Sequence, residues 1–233
     1  MSEPLPSPVS APADLAHVET WVFDLDHTLY TVSDAQNARM GARIGEYVQG
    51  FLGLSPEEAH ALQKRYLNDY GSTLAGLWRH HGVDPDAYHA FVNDIAALDL
   101  AHNARLRSGL ERLPGSRIIF TNNCGRYAAD VLADIGIADL FDDIIDAKAL
   151  GFVPKPNPPA YEKLLALGAK PGRAAMFDDS ARNLKPAHEL GLTTVWCLTG
   201  PAEWRPAAGE HHSHIDHTTA DLADFLLEIG LRA

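Results

Sequence analysis

Four short stretches carry side chains that could do chemistry together. The first is Asp24-Leu25-Asp26-His27-Thr28. Side chains two apart on a strand share a face, so Asp24 and Asp26 point into one crevice. Two carboxylates this close repel, and keeping both ionised calls for a cation or a shared proton. A hard divalent cation with oxygen ligands meets that need, and Mg²⁺ is the usual one where phosphate is handled. One carboxylate could then attack phosphorus while the other moves protons. The second stretch, Thr121-Asn122-Asn123, offers a hydroxyl and free backbone N–H groups at a helix start, which together suit an anion. The third is Lys155, between Pro154 and Pro156, a cation on a loop stiffened by proline. The fourth, Asp178-Asp179-Ser180, would bring another carboxylate to the metal. Taken singly, each has a plainer reading: a solvated strand end, an Asn-rich turn, a surface lysine, a pair of helix caps. Taken together they make a consistent set, because each falls at or just past the C-terminal end of a predicted strand.

The elements that must position them follow from periodicity. Short apolar runs predict strands at Thr20 to Asp26, Arg117 to Thr121, around Ile144-Ile145, at Ala174 to Phe177 and at Thr193 to Cys197, with a last one starting at Ile215. Helical spacing predicts helices after most of these strands, including Asn183 to Leu190 and Leu222 to Ile229. Strands alternating with helices predict an α/β, doubly wound parallel sheet with both faces covered. The alternation breaks once, from Ser33 to Asn103, where the pattern is helical throughout. Ser55-Pro56-Glu57-Glu58 and Asp84-Pro85-Asp86 are helix starts within that block. The expected organisation is a disordered lead-in over 1–19, rich in proline at Pro4, Pro6, Pro8 and Pro12, then a core made of 20–32 and 104–233. An all-helical cap over 33–103 sits above the C-terminal strand ends, where ligands bind in such sheets.

Composition excludes several partners. The chain has 233 residues, with 31 acidic and 19 basic side chains and a formal net charge of −12. A sequence-independent nucleic-acid binder needs a basic face for phosphates, and no Lys/Arg cluster supplies one. An anionic membrane surface is excluded on the same ground. No run of about 18 apolar residues predicts a membrane span. Two cysteines, Cys124 and Cys197, build no disulfide framework and fit a reducing cytoplasm.

The order of paired acid, hydroxyl, lysine and paired acid resembles the haloacid dehalogenase superfamily of phosphohydrolases, over roughly Trp21 to Cys197. The resemblance implies a Rossmann-like core and roles for single residues. Asp24 would be the nucleophile, forming an aspartyl-phosphate. Asp26 would protonate the leaving oxygen and then activate water. Thr121, Asn122 and Lys155 would hold the phosphoryl group. Mg²⁺ would sit between Asp24, the Asp26 backbone carbonyl and Asp179, with Asp178 behind. The block Tyr70 to Leu77, His81-Gly82-Val83 and Tyr88 to Val92 is similar to the cap of the pyrimidine 5′-nucleotidase branch. So are Leu29-Tyr30, Ile118 to Asn122, and Phe177 to Ser180 with Asn183. That branch implies nucleoside 5′-monophosphates as substrates, with pyrimidines favoured. His27 departs from the Asn most often found there, and Asn123-Cys124 departs from the small residues expected after Thr121-Asn122.

Other readings stay in view: a phosphatase for phosphoglycolate or a sugar phosphate, a dehalogenase, and a nonenzymatic phosphate-binding module. The proton-carrying Asp26 argues against the dehalogenase. His211-His212-Ser213-His214 with Asp216 and His217 is expected to be a solvated loop rather than a metal site. Of the cap aromatics Tyr66, Tyr70 and Trp78, two are expected to pack and one to stack on a base.

Overall fold

The computed structural model describes residues 13–93, 100–200 and 212–230. Its centre is β1 (Thr20–Phe23), four residues buried on both faces. Such a strand needs neighbours on both sides and helices above and below. It finds β2 (Ser116–Phe120) on one side and β4 (Ala174–Asp178) on the other, both parallel. The described strands form one sheet in the order β3-β2-β1-β4-β5-β6, with β3 at Asp143–Ile145, β5 at Thr193–Cys197 and β6 at His217–Thr219. Every pairing is parallel. The chain runs outward from β1 to β3, then crosses back to β4. The reversal opens a crevice at the C-terminal ends of β1, β2 and β4.

Alternation along β1 splits the core in two. Trp21 and Phe23 join Tyr127, Val131, Leu110 and Leu226, from α5 (Ala104–Glu111), α6 (Gly125–Asp134) and α9 (Leu222–Glu228). Val22 joins Ile118, Phe120, Tyr161 and Leu184, with helices α7 (Pro158–Ala166) and α8 (Ala181–Glu189) on that face. Each fully buried large side chain stabilises the fold by about 1.5–3 kcal/mol.

The helical block holds α1 (Asp34–Leu52), α2 (Pro56–Tyr70), α3 (Thr73–His81) and α4 (Pro85–Val92). Ser33 with Gln36 and Ser55 with Glu58 form capping boxes, as their types and spacing favour. The four helices share an apolar cluster of their own around Val48, Tyr66, Leu77 and Tyr88.

Two expectations need correction. The lead-in over 1–19 is too long: Leu15 and Val18 are buried in the core, and the Leu15 N–H donates to the Gly230 carbonyl at 3.2 Å. Apolar side chains five and two residues before β1 join the core cluster that α9 also packs into, so order begins before the strand; residues 1–12 lie outside the described residues. The last strand starts at His217, not Ile215: the Ile215 N–H closes a turn on the His212 carbonyl at 3.0 Å, and pairing with β5 begins at His217. Residues 94–99 of the expected cap also lie outside the described residues.

Candidate active site

The site begins where β1 ends. Asp24 follows the last strand residue and its N–H is still held by the Phe177 carbonyl at 2.9 Å. Lys155 reaches it from the loop between β3 and α7. Its ammonium donates to Asp24 Oδ1 at 2.8 Å and to Asp178 Oδ2 at 2.7 Å, and the side chain is 1% exposed. A lysine this deep needs its partners, since an unpaired buried charge is costly. Burial works against the Lys155 charge, but Asp178 and Asp24 outweigh it and hold the pKa above the ordinary lysine value. Asp178 is held on its other side by the Ser180 N–H at 2.9 Å and the Asn183 amide at 3.0 Å.

The Lys155 backbone is clamped as firmly as its head. The Asn122 amide accepts from the Lys155 N–H at 2.8 Å and donates to the Lys155 carbonyl at 3.1 Å. The Asn122 side chain, expected at the phosphate, is spent on positioning Lys155. Across from it, Gly71 at the end of α2 has φ +82°, and a Cβ there would lie 3.0 Å from the Lys155 carbonyl oxygen. Glycine therefore lets the helical block close down on the lysine loop.

The charges around Lys155 do not balance. Asp24, Asp178 and Asp179 each bring a carboxylate oxygen within 4.8 Å of the others. Three carboxylates face one ammonium. Asp179 Oδ2 is buried with no hydrogen-bond partner among the described residues. A Cβ on Gly200 would stand 2.4 Å from that oxygen, so the glycine keeps the space beside it open. Burial raises the Asp24 carboxyl above its usual range, with Lys155 pulling the other way. Burial pushes Asp178 up to about 6 against the same pull. Asp179 is pushed up to about 9, by burial first and then by Asp178 and Asp24. An orphaned oxygen, an open space and excess negative charge fit a hard divalent cation with oxygen ligands.

Thr121, just past β2, is buried, and its Oγ1 accepts from the Asn123 N–H at 3.0 Å. That leaves the hydroxyl proton to donate elsewhere. The free backbone N–H groups expected at this helix start are not all free. Besides Asn123, the Cys124 N–H donates to Asn123 Oδ1 at 2.9 Å and the Gly125 N–H to Asp146 Oδ2 at 2.8 Å. Short polar side chains cap their own turn here, as Asn and Asp commonly do.

Asp26 is half-buried. Its Oδ1 accepts from the Tyr30 hydroxyl, and the Tyr127 hydroxyl lies 3.2 Å from the same oxygen. The Asn123 amide lies 3.5 Å from Oδ2. His27 takes φ +60°, a left-handed conformation in which His, Asn and Asp are over-represented. Its ring Nε2 meets Asn37 Oδ1 of α1 at 3.1 Å, tying the helical block to the motif.

A cavity of about 690 Å³ opens over these groups. Its floor carries Asp24, Asp26, Thr121, Lys155 and Asp179; its helical wall carries Asn37, Met40, Leu67 and Asn68. None of Tyr66, Tyr70 and Trp78 lines it. Tyr66 is buried and bonds His81 at 2.8 Å, Tyr70 meets His80 at 2.6 Å, and Trp78 lies 5.8 Å from the Phe152 ring. The expected solvated loop at 211–217 is partly a wall: His212 and His214 line the cavity, the His212 ring edge-on to Trp196. His211 lies outside the described residues. Asp24, Asp26, Thr121, Lys155 and Asp179 thus meet at one cavity, with Asp178 and Asn122 behind. Tyr30, Tyr127 and Gly200 are additions that sequence reasoning missed as site residues. The one available signal was Tyr30, four residues after Asp26.

A model of haloacid dehalogenase-like hydrolases matches residues 18–191. Phosphate metabolism protein 8 of Saccharomyces cerevisiae is 28% identical over 197 residues, which is 76% of this chain and 60% of that protein. This chain therefore spans less than two thirds of that relative. Glyceraldehyde 3-phosphate phosphatase of Methanothermobacter thermautotrophicus is 22% identical over 196 residues, 74% of this chain and 82% of the relative. The crystal structure of a HAD phosphatase from Thermococcus onnurineus superposes with a TM-score of 0.56 at 18% identity, covering 89% of this chain and 95% of that one. At that identity the likeness concerns the fold.

Proposed function

The chain belongs to the haloacid dehalogenase-like hydrolases, and from that premise we propose that it is a Mg²⁺-dependent phosphomonoesterase acting on nucleoside 5′-monophosphates, pyrimidines favoured. The observation that carries the phosphatase reading is Lys155, buried between Asp24 and Asp178 beside the orphaned oxygen of Asp179. Lys155 occupies one Asp24 oxygen and fixes the carboxylate. The other oxygen attacks phosphorus, and the ester P–O bond breaks. Asp26 gives its proton to the leaving oxygen. Asp26 then takes a proton from water, and that water's oxygen displaces Asp24 to free phosphate. The Thr121 hydroxyl and the Lys155 ammonium hold phosphoryl oxygens; an Asn122 contact would come from its backbone, given where its side chain is spent. Asp24, Asp179 and the Asp26 carbonyl would hold Mg²⁺, with Asp178 behind. The cation supplies charge neutralisation of the transferring group, which dominates phosphoryl transfer.

The relatives' names speak of phosphate metabolism and of a small phosphate ester, which supports the coarser reading. The finer one rests on the helical wall, with residues 33–103 acting as a cap. Met40 and Leu67 offer an apolar face and Asn37 and Asn68 an amide edge, which suits a flat base with hydrogen-bonding groups better than a bare triose. The free thiols of Cys124 and Cys197 go with a cytoplasmic site of action. The alternative substrate class is another small ester, such as phosphoglycolate or a sugar phosphate.

The test is phosphate release from UMP, CMP, dUMP, AMP, GMP, ribose 5-phosphate, glyceraldehyde 3-phosphate, phosphoglycolate and a hexose phosphate, each with Mg²⁺ and with EDTA. Metal-dependent release favouring UMP and CMP over ribose 5-phosphate supports the reading. Preference for a small ester keeps the mechanism and replaces the substrate. Halide release from a haloacid without metal would overturn both.

A further inference from the structure

Two tyrosines outside the four motifs converge on one oxygen of Asp26. Tyr30 sits four residues beyond Asp26, where the chain doubles back and the two residues bridge through their backbones. Tyr127 comes from α6, on a separate part of the chain. Both are buried, at 8% and 2% exposure. Their hydroxyls lie 2.7 Å apart, and both face Asp26 Oδ1. Each hydroxyl has one proton, so the chain Tyr127 to Tyr30 to Asp26 satisfies all three oxygens. Both rings sit in the apolar core cluster with Phe23 and Leu29. Phenylalanine would fill that space equally well, and a buried hydroxyl costs free energy unless it is bonded. Packing therefore explains the rings and not the hydroxyls.

We propose that Tyr30 and Tyr127 are positioning residues that anchor Asp26 Oδ1 and so aim its second oxygen at the leaving group. This rests on the reading of Asp26 as the proton donor. A carboxylate at a strand end can otherwise turn about two side-chain bonds, and proton transfer needs heavy atoms within about 2.6–3.2 Å. Oδ1 is turned into the core toward the Tyr30 hydroxyl, which Tyr127 holds in turn. Among the described residues Oδ2 meets only the Asn123 amide, at 3.5 Å, and the residue lines the cavity. The arrangement uses one oxygen as a hinge pin and leaves the other for chemistry.

The distinguishing readout is leaving-group dependence. A p-nitrophenolate departs with little help from an acid, whereas the nucleoside alkoxide of UMP needs its proton. kcat/KM covers the steps through departure of the alcohol, so it isolates this half of the reaction. Tyr30→Phe, Tyr127→Phe and the double variant are compared on p-nitrophenyl phosphate and UMP with Mg²⁺. Tyr30→Phe is expected to lower kcat/KM for UMP by about tenfold or more, a fraction of what a general acid contributes, and to lower it far less for p-nitrophenyl phosphate. In an Asp26→Asn background, Tyr30→Phe should add no further loss on UMP. Equal losses on both substrates would make the tyrosines purely structural and overturn the proposal, as would no loss on either. A wild-type enzyme that hydrolyses neither ester overturns the phosphatase reading and this inference with it, an outcome seen before any variant is made.

Discussion

The two walls of the cavity are built on opposite terms. The sheet wall is dry and crowded: Lys155, Asp24 and Asp178 are buried, and the ammonium touches both carboxylates within 2.8 Å. The helical wall is open: Leu67 is 42% exposed, and Asn68 beside it is exposed too. In the sheet wall each group is positioned by charge and cannot move without leaving another uncompensated. In the helical wall side chains can change with little cost to the fold. Under the proposed function, a site divided this way would separate reaction from choice of substrate: the first set by what is buried, the second by what is left exposed.

The strongest way to break this contrast lies in the sheet wall. Asp24→Asn should cut phosphate release by about 10⁴-fold or more, as loss of a nucleophile does, with an unchanged fold by circular dichroism. Substantial residual turnover would remove Asp24 as nucleophile. Lys155→Met leaves Asp24 and Asp178 without their cation, and stripping one partner from a buried pair costs about 3–5 kcal/mol. Urea unfolding measures it; a loss under about 1 kcal/mol would mean the pair is not held as tightly as its burial implies.

The metal sharpens the same contrast. EDTA should abolish turnover, and Mg²⁺ at a hundred times its Kd should stabilise the protein by about 2.7 kcal/mol, read as a rise in Tm. Asp179→Asn should lose most of that rise, whereas a variant in the helical wall should keep it. With EDTA present, pH separates the walls again. The Asp179 carboxyl titrates near 9 in the folded protein, against 3.8 for its ordinary value. Between those values the folded state binds the extra proton, so its stabilising effect is present at low pH and lost as pH rises. The difference in stability between wild type and Asp179→Asn should therefore fall from pH 4 to pH 9. A difference that rises with pH would contradict the sign.

The smallest effect belongs to the helical wall. Leu67→Asp should leave stability within about 0.5 kcal/mol, as exposed substitutions do. It should lower kcat/KM for UMP relative to ribose 5-phosphate by about tenfold, the scale of one lost apolar contact. An unchanged ratio would free Leu67 from any part in substrate choice.

How much of this was legible beforehand differs by residue. Asp24 and Asp26, and likewise Asp178-Asp179, could be read because an apolar run ends at them; the strand face expected to carry Asp24 and Asp26 does not reach them, since β1 stops at Phe23. The helix starts at Ser55 and Asp84 were local chemistry and appear as expected. Lys155 could be read as a candidate but not as buried, since a lone lysine between prolines looks the same on a surface. Asn122 was read toward the phosphate and instead grips the Lys155 backbone. The backbone N–H groups at the Thr121-Asn122-Asn123 helix start were read as free, and side chains already satisfy those of Asn123, Cys124 and Gly125. Tyr127 could not be found at all, because a tyrosine on the apolar face of a helix reads as packing until its hydroxyl is placed.

The sequence by itself determined what depends on near neighbours: which segments become strands or helices, where helices start, and which carboxylates fall at strand ends. These follow from side-chain periodicity and caps, whose partners lie within a few residues. Only the tertiary structure decided which groups meet. Lys155 stands 131 residues from Asp24 and 23 from Asp178, and Tyr127 stands 101 residues from Asp26. No periodic pattern reaches across such separations. They are closed by burying the two apolar faces of one parallel sheet, and the same burial turns ordinary aspartates, a lysine and two tyrosines into a site.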